Sequence, residues 1–188
     1  MKRIFVLMLT MFSIVVPQLS AQWYLPGMRG LQITAGSVNA LNLKRGFHSQ
    51  FAFSQYTKHA DRWVFGFEYL EKRHTYKNLN IPQSQFTVDA GYYLNFLSTP
   101  RKTFFASIGA SAMAGYESIN WDKKLLFDGA TIENKDVFMF GAALTFEIEI
   151  YLSDRFVLLA NIRERLLSGS SVGKLNTLFG TGIKVIIN

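Results

Sequence analysis

Charged side chains recur at alternate positions in several segments of this sequence, and their types fit either catalysis or ion pairing. Glu147 and Glu149 stand two residues apart, as do Arg163 and Arg165. Two carboxylates on one face of a strand could serve as a general acid and a general base. The stronger interpretation is structural, because a narrow interior that buries charges must pair them. The charged residues predicted to line such an interior are Glu68, Asp89, Glu147, Glu149, Arg163 and Arg165, with Lys184 near the end of the chain.

The partners within this set follow from the order of the segments. A short turn at Ser153 and Asp154 separates the segment with the two glutamates from the segment with the two arginines. Antiparallel neighbours joined by a tight turn place their side chains next to each other. We therefore expect the paired glutamates to contact the paired arginines and to hold the interior together.

The three histidines are the other candidates for a chemical site. His48 or His74, together with a serine from a loop, could form the Ser and His of a lipid hydrolase or acyltransferase, whereas His59 falls in a predicted turn far from both. No histidine has the spacing of a zinc site, the chain has no cysteine, and its glycines stand singly rather than in a phosphate-binding loop. The favoured prediction is a protein that is not an enzyme and that has no cofactor or metal.

The segment from Val137 to Leu152 shows what kind of element must position these charges. One of its faces is apolar throughout, and the other carries Gly141, Thr145 and the two glutamates. Only a β-strand has this period of two. Ordinary strands have about five or six residues, whereas a tilted strand needs roughly nine to eleven to cross a bilayer. A strand of this length with two such faces predicts lipid on one side and a polar interior on the other.

The same alternation predicts eight strands along the chain. They are Leu31–Asn39, Phe47–Thr57, Trp63–Leu70, Gln85–Phe96, Phe104–Tyr116, Val137–Leu152, Phe156–Arg165 and Phe179–Ile187. Tight turns alternate with longer polar connections, including Lys72–Pro82 and Ser168–Asn176, as is typical of outer-membrane barrels. The predicted fold is therefore all-β, an eight-stranded antiparallel outer-membrane-type β-barrel. A soluble barrel of lipocalin type, with its apolar face inward, is the alternative.

The N-terminal residues predict export. Met1-Lys2-Arg3 precedes an apolar run from Ile4 to Val16, and small residues end at Ala21. Residues 1–21 are thus predicted to be a signal peptide, residues 22–30 a periplasmic N-terminal segment, and residues 31–188 the transmembrane barrel. Loss of Lys2 and Arg3 lowers the formal net charge from +7 to +5. Because no basic stripe interleaved with aromatic residues is present, we expect no direct contact with nucleic acid.

Basic residues also occur in the predicted long connections. They are Lys44, Arg45, Arg73, Lys77, Lys123, Lys124 and Lys174. If these connections lie outside the cell, anionic lipid headgroups are the simplest partner for them. The favoured interpretation is nevertheless that they are solvated loop ends without a specific partner.

The segment that follows the predicted signal, Gln22 to Gln32, resembles the beginning of the TraO proteins encoded on conjugative transposons of Bacteroides and its relatives. Its most specific part is Tyr24-Leu25-Pro26-Gly27-Met28, and the resemblance extends over the chain in length and strand layout. The resemblance implies a component of a conjugative DNA-transfer apparatus, similar to type IV secretion, that works with other transfer proteins of the cell envelope. It implies no catalytic residues.

A role in the outer membrane follows from combining the resemblance with the predicted barrel. Because side chains fill an eight-stranded barrel, one copy cannot be the DNA conduit. We therefore expect a structural anchor or docking subunit that contacts outer-membrane lipid and has both termini in the periplasm. The residues expected to contact partners are Trp23, Tyr24, Leu25, Pro26, Gly27 and Met28. A general envelope-stability barrel of OmpA/OmpX type is the alternative.

Overall fold

The computed structural model describes residues 26–39, 46–76, 79–119, 137–170 and 175–187, with only the backbone described at residues 73–76, 79–81 and 119. Its strands are β1 (Arg29–Val38), β2 (Gly46–Tyr56), β3 (Arg62–Tyr76), β4 (Leu79–Ser98), β5 (Phe104–Ile119), β6 (Val137–Tyr151), β7 (Phe156–Ser168) and β8 (Leu175–Ile187). A short 3₁₀ helix, Lys58–Ala60, lies between β2 and β3. Within the described ranges no helix is long and apolar enough to span a membrane, a finding that concerns helices and not strands.

The eight strands close into a barrel. Each strand pairs antiparallel with the next one along the chain, and β8 pairs antiparallel with β1. Ile33 of β1, for example, lies opposite Phe51 on β2 and opposite Ile183 on β8. Closure pairs the backbone groups that an open sheet would leave unpaired at its two edges. The predicted eight-stranded antiparallel barrel is therefore confirmed.

The two faces of the wall differ in polarity as the sequence predicts. On β6, Phe138 is 77% exposed on the outside, whereas Glu149 is 0% exposed on the inside. The aromatic residues of β3, Trp63, Phe65 and Phe67, likewise point outward. An apolar outer surface around a polar interior is the arrangement of a membrane barrel, and it is the reverse of the lipocalin-type alternative.

The two ends of the barrel have different connections. At one end, which we call the tight-turn end, β2–β3, β4–β5 and β6–β7 are joined by short turns. These turns are closed by backbone hydrogen bonds, for example from Thr57 N to Asp61 O at 2.7 Å and from Lys102 N to Thr99 O at 2.9 Å. The first residue of β1, Arg29, lies opposite Ile187 of β8, so the chain also enters and leaves the barrel at this end.

Two predicted loops are wrong in part, because strands continue through them. The polar segment Lys72–Pro82 lies mostly in the β3–β4 ladder, where Arg73 pairs with Pro82. The predicted loop Ser168–Asn176 likewise contains the start of β8 at Leu175. A ladder depends on backbone groups, so a strand can continue beyond the apolar belt after its side chains stop alternating.

Several sequence predictions fall outside the described residues. These are the signal peptide, the residues Trp23, Tyr24 and Leu25, and the loop cations Lys44, Arg45, Lys77, Lys123, Lys124 and Lys174. The side chains of Arg73 and His74 are also outside the description.

Candidate functional site in the barrel interior

Four charged side chains form a compact group near the tight-turn end, which we call the tight-turn cluster. Arg62 of β3 and Lys184 of β8 face Glu147 and Glu149 of β6, and all four are buried. Arg62 Nη2 lies 2.6 Å from Glu147 Oε1 and 3.5 Å from Glu149 Oε1. Lys184 Nζ is ion-paired with Glu149 and lies 3.7 Å from Glu147 Oε1. Two cations therefore balance two carboxylates inside the wall.

Neutral polar and aromatic groups complete the tight-turn cluster. Arg62 Nη1 donates to Ser107 Oγ at 3.0 Å, and its guanidinium lies 5.1 Å from the ring centroid of Tyr93. The Tyr56 hydroxyl donates to Glu149 Oε1 at 3.2 Å and accepts from Lys184 Nζ at 3.0 Å. Such hydrogen bonds offset the desolvation of buried charges, which ion pairing alone often fails to do.

An apolar layer covers this cluster on the side of the tight turns. Its members are Met28, Tyr56, Ala60, Phe105, Tyr151, Val157, Leu159 and Ile186, which form one buried contact group. The rings of Phe105 and Tyr151 meet edge to face with centroids 5.7 Å apart. This layer keeps water from the ion pairs, and opposite charges attract more strongly where water is excluded.

A second group, which we call the central cluster, lies further along the interior. Arg163 and Arg165 of β7 face Glu68 of β3 and Asp89 of β4. Arg163 Nη2 lies 2.9 Å from Asp89 Oδ2, and Arg165 Nη1 lies 2.8 Å from Glu68 Oε1. Gln50 Nε2 also donates to Asp89 Oδ1 at 3.1 Å.

These contacts cross the full width of the barrel. In a closed ring of eight strands, β3 and β7 are opposite each other, yet Arg165 and Glu68 are in direct contact. The hydrogen bond from Tyr56 on β2 to Glu149 on β6 also joins opposite strands. The interior at these two levels is therefore bridged by side chains.

The predicted members of the charge network are all inside the barrel, but their predicted pairing is wrong. The register places Arg163 opposite Thr145 and places Glu147 opposite Asn161. The glutamates pair instead with Arg62 and Lys184, and the arginines with Glu68 and Asp89. The physical reason is that inward side chains of adjacent strands lie next to each other along the wall. The ion pairs form across the lumen, between strands that are not adjacent.

Arg62 is the functional residue that the sequence interpretation missed. It lies between the predicted turn that contains His59 and the predicted third strand, and was assigned to neither. It is nevertheless 0% exposed. The available signal was the alternation itself, because Arg62 shares the inward face with Val64, Gly66 and Glu68.

The long-connection end of the interior is polar as well. Glu117 Oε2 accepts hydrogen bonds from Gln85 Nε2 at 2.8 Å and from Ser170 Oγ at 2.7 Å. Lys72 Nζ donates to Asn176 Oδ1. Glu117 and Lys72 follow the inward alternation of β5 and β3, beyond the predicted strand ends at Tyr116 and Leu70.

The histidines do not come together in the described part of the chain. His48 is buried in the interior, and its Nε2 lies 3.3 Å from the carbonyl oxygen of Phe179. His59 is exposed in the β2–β3 turn, at the tight-turn end. Among the described residues, no group of three or more histidine, aspartate and glutamate side chains could hold a metal ion.

The predicted docking segment is only partly separate from the barrel. Pro26 and Gly27 are exposed, but Gly27 N donates to Tyr56 O at 2.8 Å. Met28 is 7% exposed within the apolar layer, so its assignment as a docking residue is wrong. The barrel also starts at Arg29 rather than at Leu31, because Arg29 and Gly30 pair with β2 and β8. A buried methionine at this position completes the apolar layer.

Solved structures with the same fold are small outer-membrane barrels. Neisserial surface protein A is 14% identical, with a TM-score of 0.59 over 84% of this chain and 96% of that chain. Ail, the attachment invasion locus protein of Yersinia pestis, is 11% identical, with a TM-score of 0.55 over 87% and 100% of the two chains. The N-terminal β-barrel domain of Pseudomonas aeruginosa OprF is 12% identical, with a TM-score of 0.54 over 86% and 98%. At these identities the likeness concerns the fold.

Family membership comes from a separate comparison of the sequence. No curated protein matches the chain. The model of one family, described as conjugative transposon protein TraO, matches residues 25–187, a span that contains all eight strands. The resemblance inferred from the residues after the predicted signal is thereby confirmed, and the chain belongs to the conjugative transposon protein TraO family.

Proposed function

We propose that this protein is an outer-membrane component of a conjugative DNA-transfer apparatus, and that it acts as an anchor or docking subunit rather than as the DNA pore. The observation that carries the second half of the proposal is the bridged interior. Arg165 and Glu68 meet across the barrel at 2.8 Å, and an apolar layer covers the interior near the tight turns. DNA transfer through one copy would require the separation of several buried ion pairs.

Two observations support the first half of the proposal. Membership in the TraO family relates the chain to conjugative transposons. The outer wall carries large apolar side chains such as Phe51, Val88 and Phe140, each at least half exposed, which a bilayer would cover. In our proposal both termini lie in the periplasm, at the tight-turn end, as in barrels that have short periplasmic turns.

Docking is assigned to the tight-turn end. The chain enters the barrel there, and Pro26 and Gly27 are exposed beside the end of β2. In our proposal Trp23, Tyr24 and Leu25 precede this point and contact other transfer proteins. No catalytic step is included, because the carboxylates of the two charge clusters lie in ion pairs with arginine or lysine.

The test is mating frequency from donor cells with an in-frame deletion of the gene. Complementation would use the intact gene, a Trp23→Ser/Tyr24→Ser/Leu25→Ser variant, and an Asp154→Ala control that changes an exposed turn at the same end. We expect transfer to be lost on deletion and restored by the intact and control genes but not by the triple variant. Resistance of the folded barrel to SDS at low temperature would check that each variant is assembled.

Other outcomes would reject parts of the proposal. Unchanged mating after deletion, with increased sensitivity to detergents, would favour a general envelope-stability barrel. Restoration of mating by the triple variant would reject docking through the N-terminal segment. A wide, steady conductance from the purified single-chain barrel in planar bilayers would reject the anchor role in favour of a pore.

A further inference from the structure

The tight-turn end carries a ring of exposed cations outside the interior clusters. Arg29, Lys58, Arg101 and Arg155 are exposed, and we call these four residues the basic rim. None of them takes part in an ion pair within the described part of the chain. Lys102, half-buried beside Arg101, donates to Ser98 Oγ at 3.1 Å. The described turns at this end contain two carboxylates, of Asp61 and Asp154, and are therefore net positive.

The rim is distributed around the whole circumference. Arg29 begins β1, Lys58 lies between β2 and β3, Arg101 between β4 and β5, and Arg155 between β6 and β7. The four cations are therefore spaced about two strands apart around the closed ring of eight strands. One of the two acids is already engaged, because Asp61 Oδ1 accepts from the backbone N of Asn95 at 2.8 Å.

Aromatic residues on the outer wall lie directly beside the rim. Trp63 is 47% exposed and packs edge to face on Tyr92, with ring centroids 4.9 Å apart. Phe156, next to Arg155, is 51% exposed on the far side of the barrel. In membrane barrels, aromatic rings at strand ends mark the boundary between hydrocarbon and headgroups. Cations just beyond these rings are therefore level with lipid phosphates.

We propose that the basic rim binds the phosphates of anionic phospholipids in the leaflet that surrounds the tight-turn end. This inference rests on the proposed membrane location. A planar layer of headgroups meets the barrel on every side, which matches one cation in each quarter of the circumference. A protein partner that binds beside the barrel would need its charges on one side, and a linear nucleic acid would need a continuous stripe.

The strength of the preference follows from the local charge. A lysine or arginine near an anionic lipid surface increases the binding constant for that surface about fivefold. Because one lipid headgroup contacts one quarter of the rim, each cation should control lipid selectivity only in its own neighbourhood. We therefore expect local changes in lipid preference and not only an effect of the overall charge.

Trp63 provides a local reporter for this test. The chain contains three tryptophans, so Trp23→Phe/Trp121→Phe leaves only Trp63, the second residue of β3, directly after the turn that contains Lys58. The barrel would be inserted into phosphatidylcholine vesicles that contain a small fraction of brominated phosphatidylglycerol or brominated phosphatidylcholine. Relative quenching of Trp63 fluorescence gives the preference of that site for the anionic lipid. We expect about a fivefold preference, which Lys58→Gln reduces to about onefold and which Arg155→Gln leaves unchanged.

A second reporter reverses the roles of the two substitutions. With Trp63→Phe added, a Phe156→Trp reporter reads the quarter of the rim that contains Arg155. There Arg155→Gln should remove the preference and Lys58→Gln should leave it intact. Both substitutions are at exposed turn positions, and the SDS resistance of the folded barrel would check assembly in each case.

The results separate this inference from the proposed function. Failure of the barrel to enter vesicles would reject its membrane location. Insertion with equal quenching by the two brominated lipids, or equal effects of the two substitutions at both reporters, would overturn lipid binding by the rim. If the parent shows no lipid preference and neutralising the rim abolishes mating by a folded barrel, the rim instead binds a protein partner.

Discussion

The two charge clusters inside the barrel contain the same charges but differ in their hydrogen bonding. Each has two cations and two carboxylates. In the tight-turn cluster, Arg62, Lys184 and Glu149 also make hydrogen bonds to Ser107 or Tyr56, and an apolar layer covers the group. In the central cluster, no nitrogen of Arg165 and no side-chain oxygen of Glu68 has a well-aligned hydrogen bond within the described residues, although the ion pair is 2.8 Å long.

This difference shows why counting ion pairs is a poor guide to what holds the barrel together. Desolvation of two buried charges can exceed their mutual attraction unless further hydrogen bonds complete the site. The tight-turn cluster meets that condition and the central cluster meets it less well. We therefore expect the tight-turn cluster to contribute more to the free energy of unfolding, and the central cluster to contribute mainly by bridging the lumen.

The largest effect is expected from Arg62→Met. Glu147 would lose its partner at 2.6 Å and Glu149 a partner at 3.5 Å, so that two buried carboxylates would share Lys184. An uncompensated buried charge typically costs about 3–5 kcal/mol. The free energy of unfolding, from guanidinium titration of the barrel refolded in micelles, should fall by that amount. The double variant Arg62→Met/Glu147→Gln removes both partners and should therefore recover most of the loss. A double variant that is no more stable than Arg62→Met would contradict this account.

A smaller loss is expected from Arg165→Met in the central cluster. Glu68 would lose its partner at 2.8 Å but would keep Arg163 Nη1, which lies 3.6 Å from Glu68 Oε2. Arg165 contacts one carboxylate and makes no well-aligned hydrogen bond within the described residues, whereas Arg62 contacts two carboxylates and donates to Ser107, so the cost should be about 2–3 kcal/mol in the same titration. A loss larger than that of Arg62→Met would reverse the order of the two clusters. Arg165→Met/Glu68→Gln is the matched double variant.

The wall of the barrel could be predicted from the sequence because lipid and lumen impose opposite polarity on alternate residues. The segment Val137–Leu152 shows both faces clearly, and the structure has β6 at Val137–Tyr151. The strand ends were less predictable. At Arg73 and Pro82 the ladder extends past the part of the sequence that alternates, so no side-chain pattern marks it.

The contacts between interior residues could not be predicted in the same way. That Glu147 and Arg163 point inward follows from alternation, but their partners depend on the tilt and stagger with which the sheet closes. Closure is set by the β1–β8 ladder, whose strands are the most distant along the chain. Arg62 and Lys184 meet Glu147 and Glu149 only after that closure, so sequence neighbours were a poor guide to the pairs.

Two glycines line the interior beside the clusters, and each makes room for one of them. A Cβ at Gly66 would lie 2.6 Å from Asp89 Oδ1 and 2.7 Å from Gln50 Nε2, two atoms that are joined by a hydrogen bond. At Gly30 a Cβ would lie 2.8 Å from Ser54 Oγ and 3.3 Å from the Lys184 side chain. We expect Gly66→Ala to lower the free energy of unfolding by about 1–2 kcal/mol through overpacking.

Gly30→Ala is the matched substitution near the tight-turn cluster. The Ser54 hydroxyl can rotate away and the methylenes of Lys184 need to move only a few tenths of an ångström, so its cost should be less than half that of Gly66→Ala. Guanidinium titration of both variants would measure the difference. Equal costs would indicate that the central cluster can rearrange around an added methyl group as easily as the tight-turn cluster does.

A smaller effect than that of Arg165→Met is expected from Tyr56→Phe, which tests whether hydrogen bonding distinguishes the tight-turn cluster. The substitution removes the hydroxyl that joins Glu149 and Lys184, at 3.2 and 3.0 Å, and keeps the ring that lies 5.8 Å from the Arg62 guanidinium. Since Glu149 and Lys184 remain ion-paired, the loss should be about 1 kcal/mol in the free energy of unfolding. In an Arg62→Met background the same substitution should cost a different amount, because both residues bind Glu149 and contacts that share a partner are not additive. Strict additivity would mean that Tyr56 packs in the apolar layer without taking part in the charge cluster.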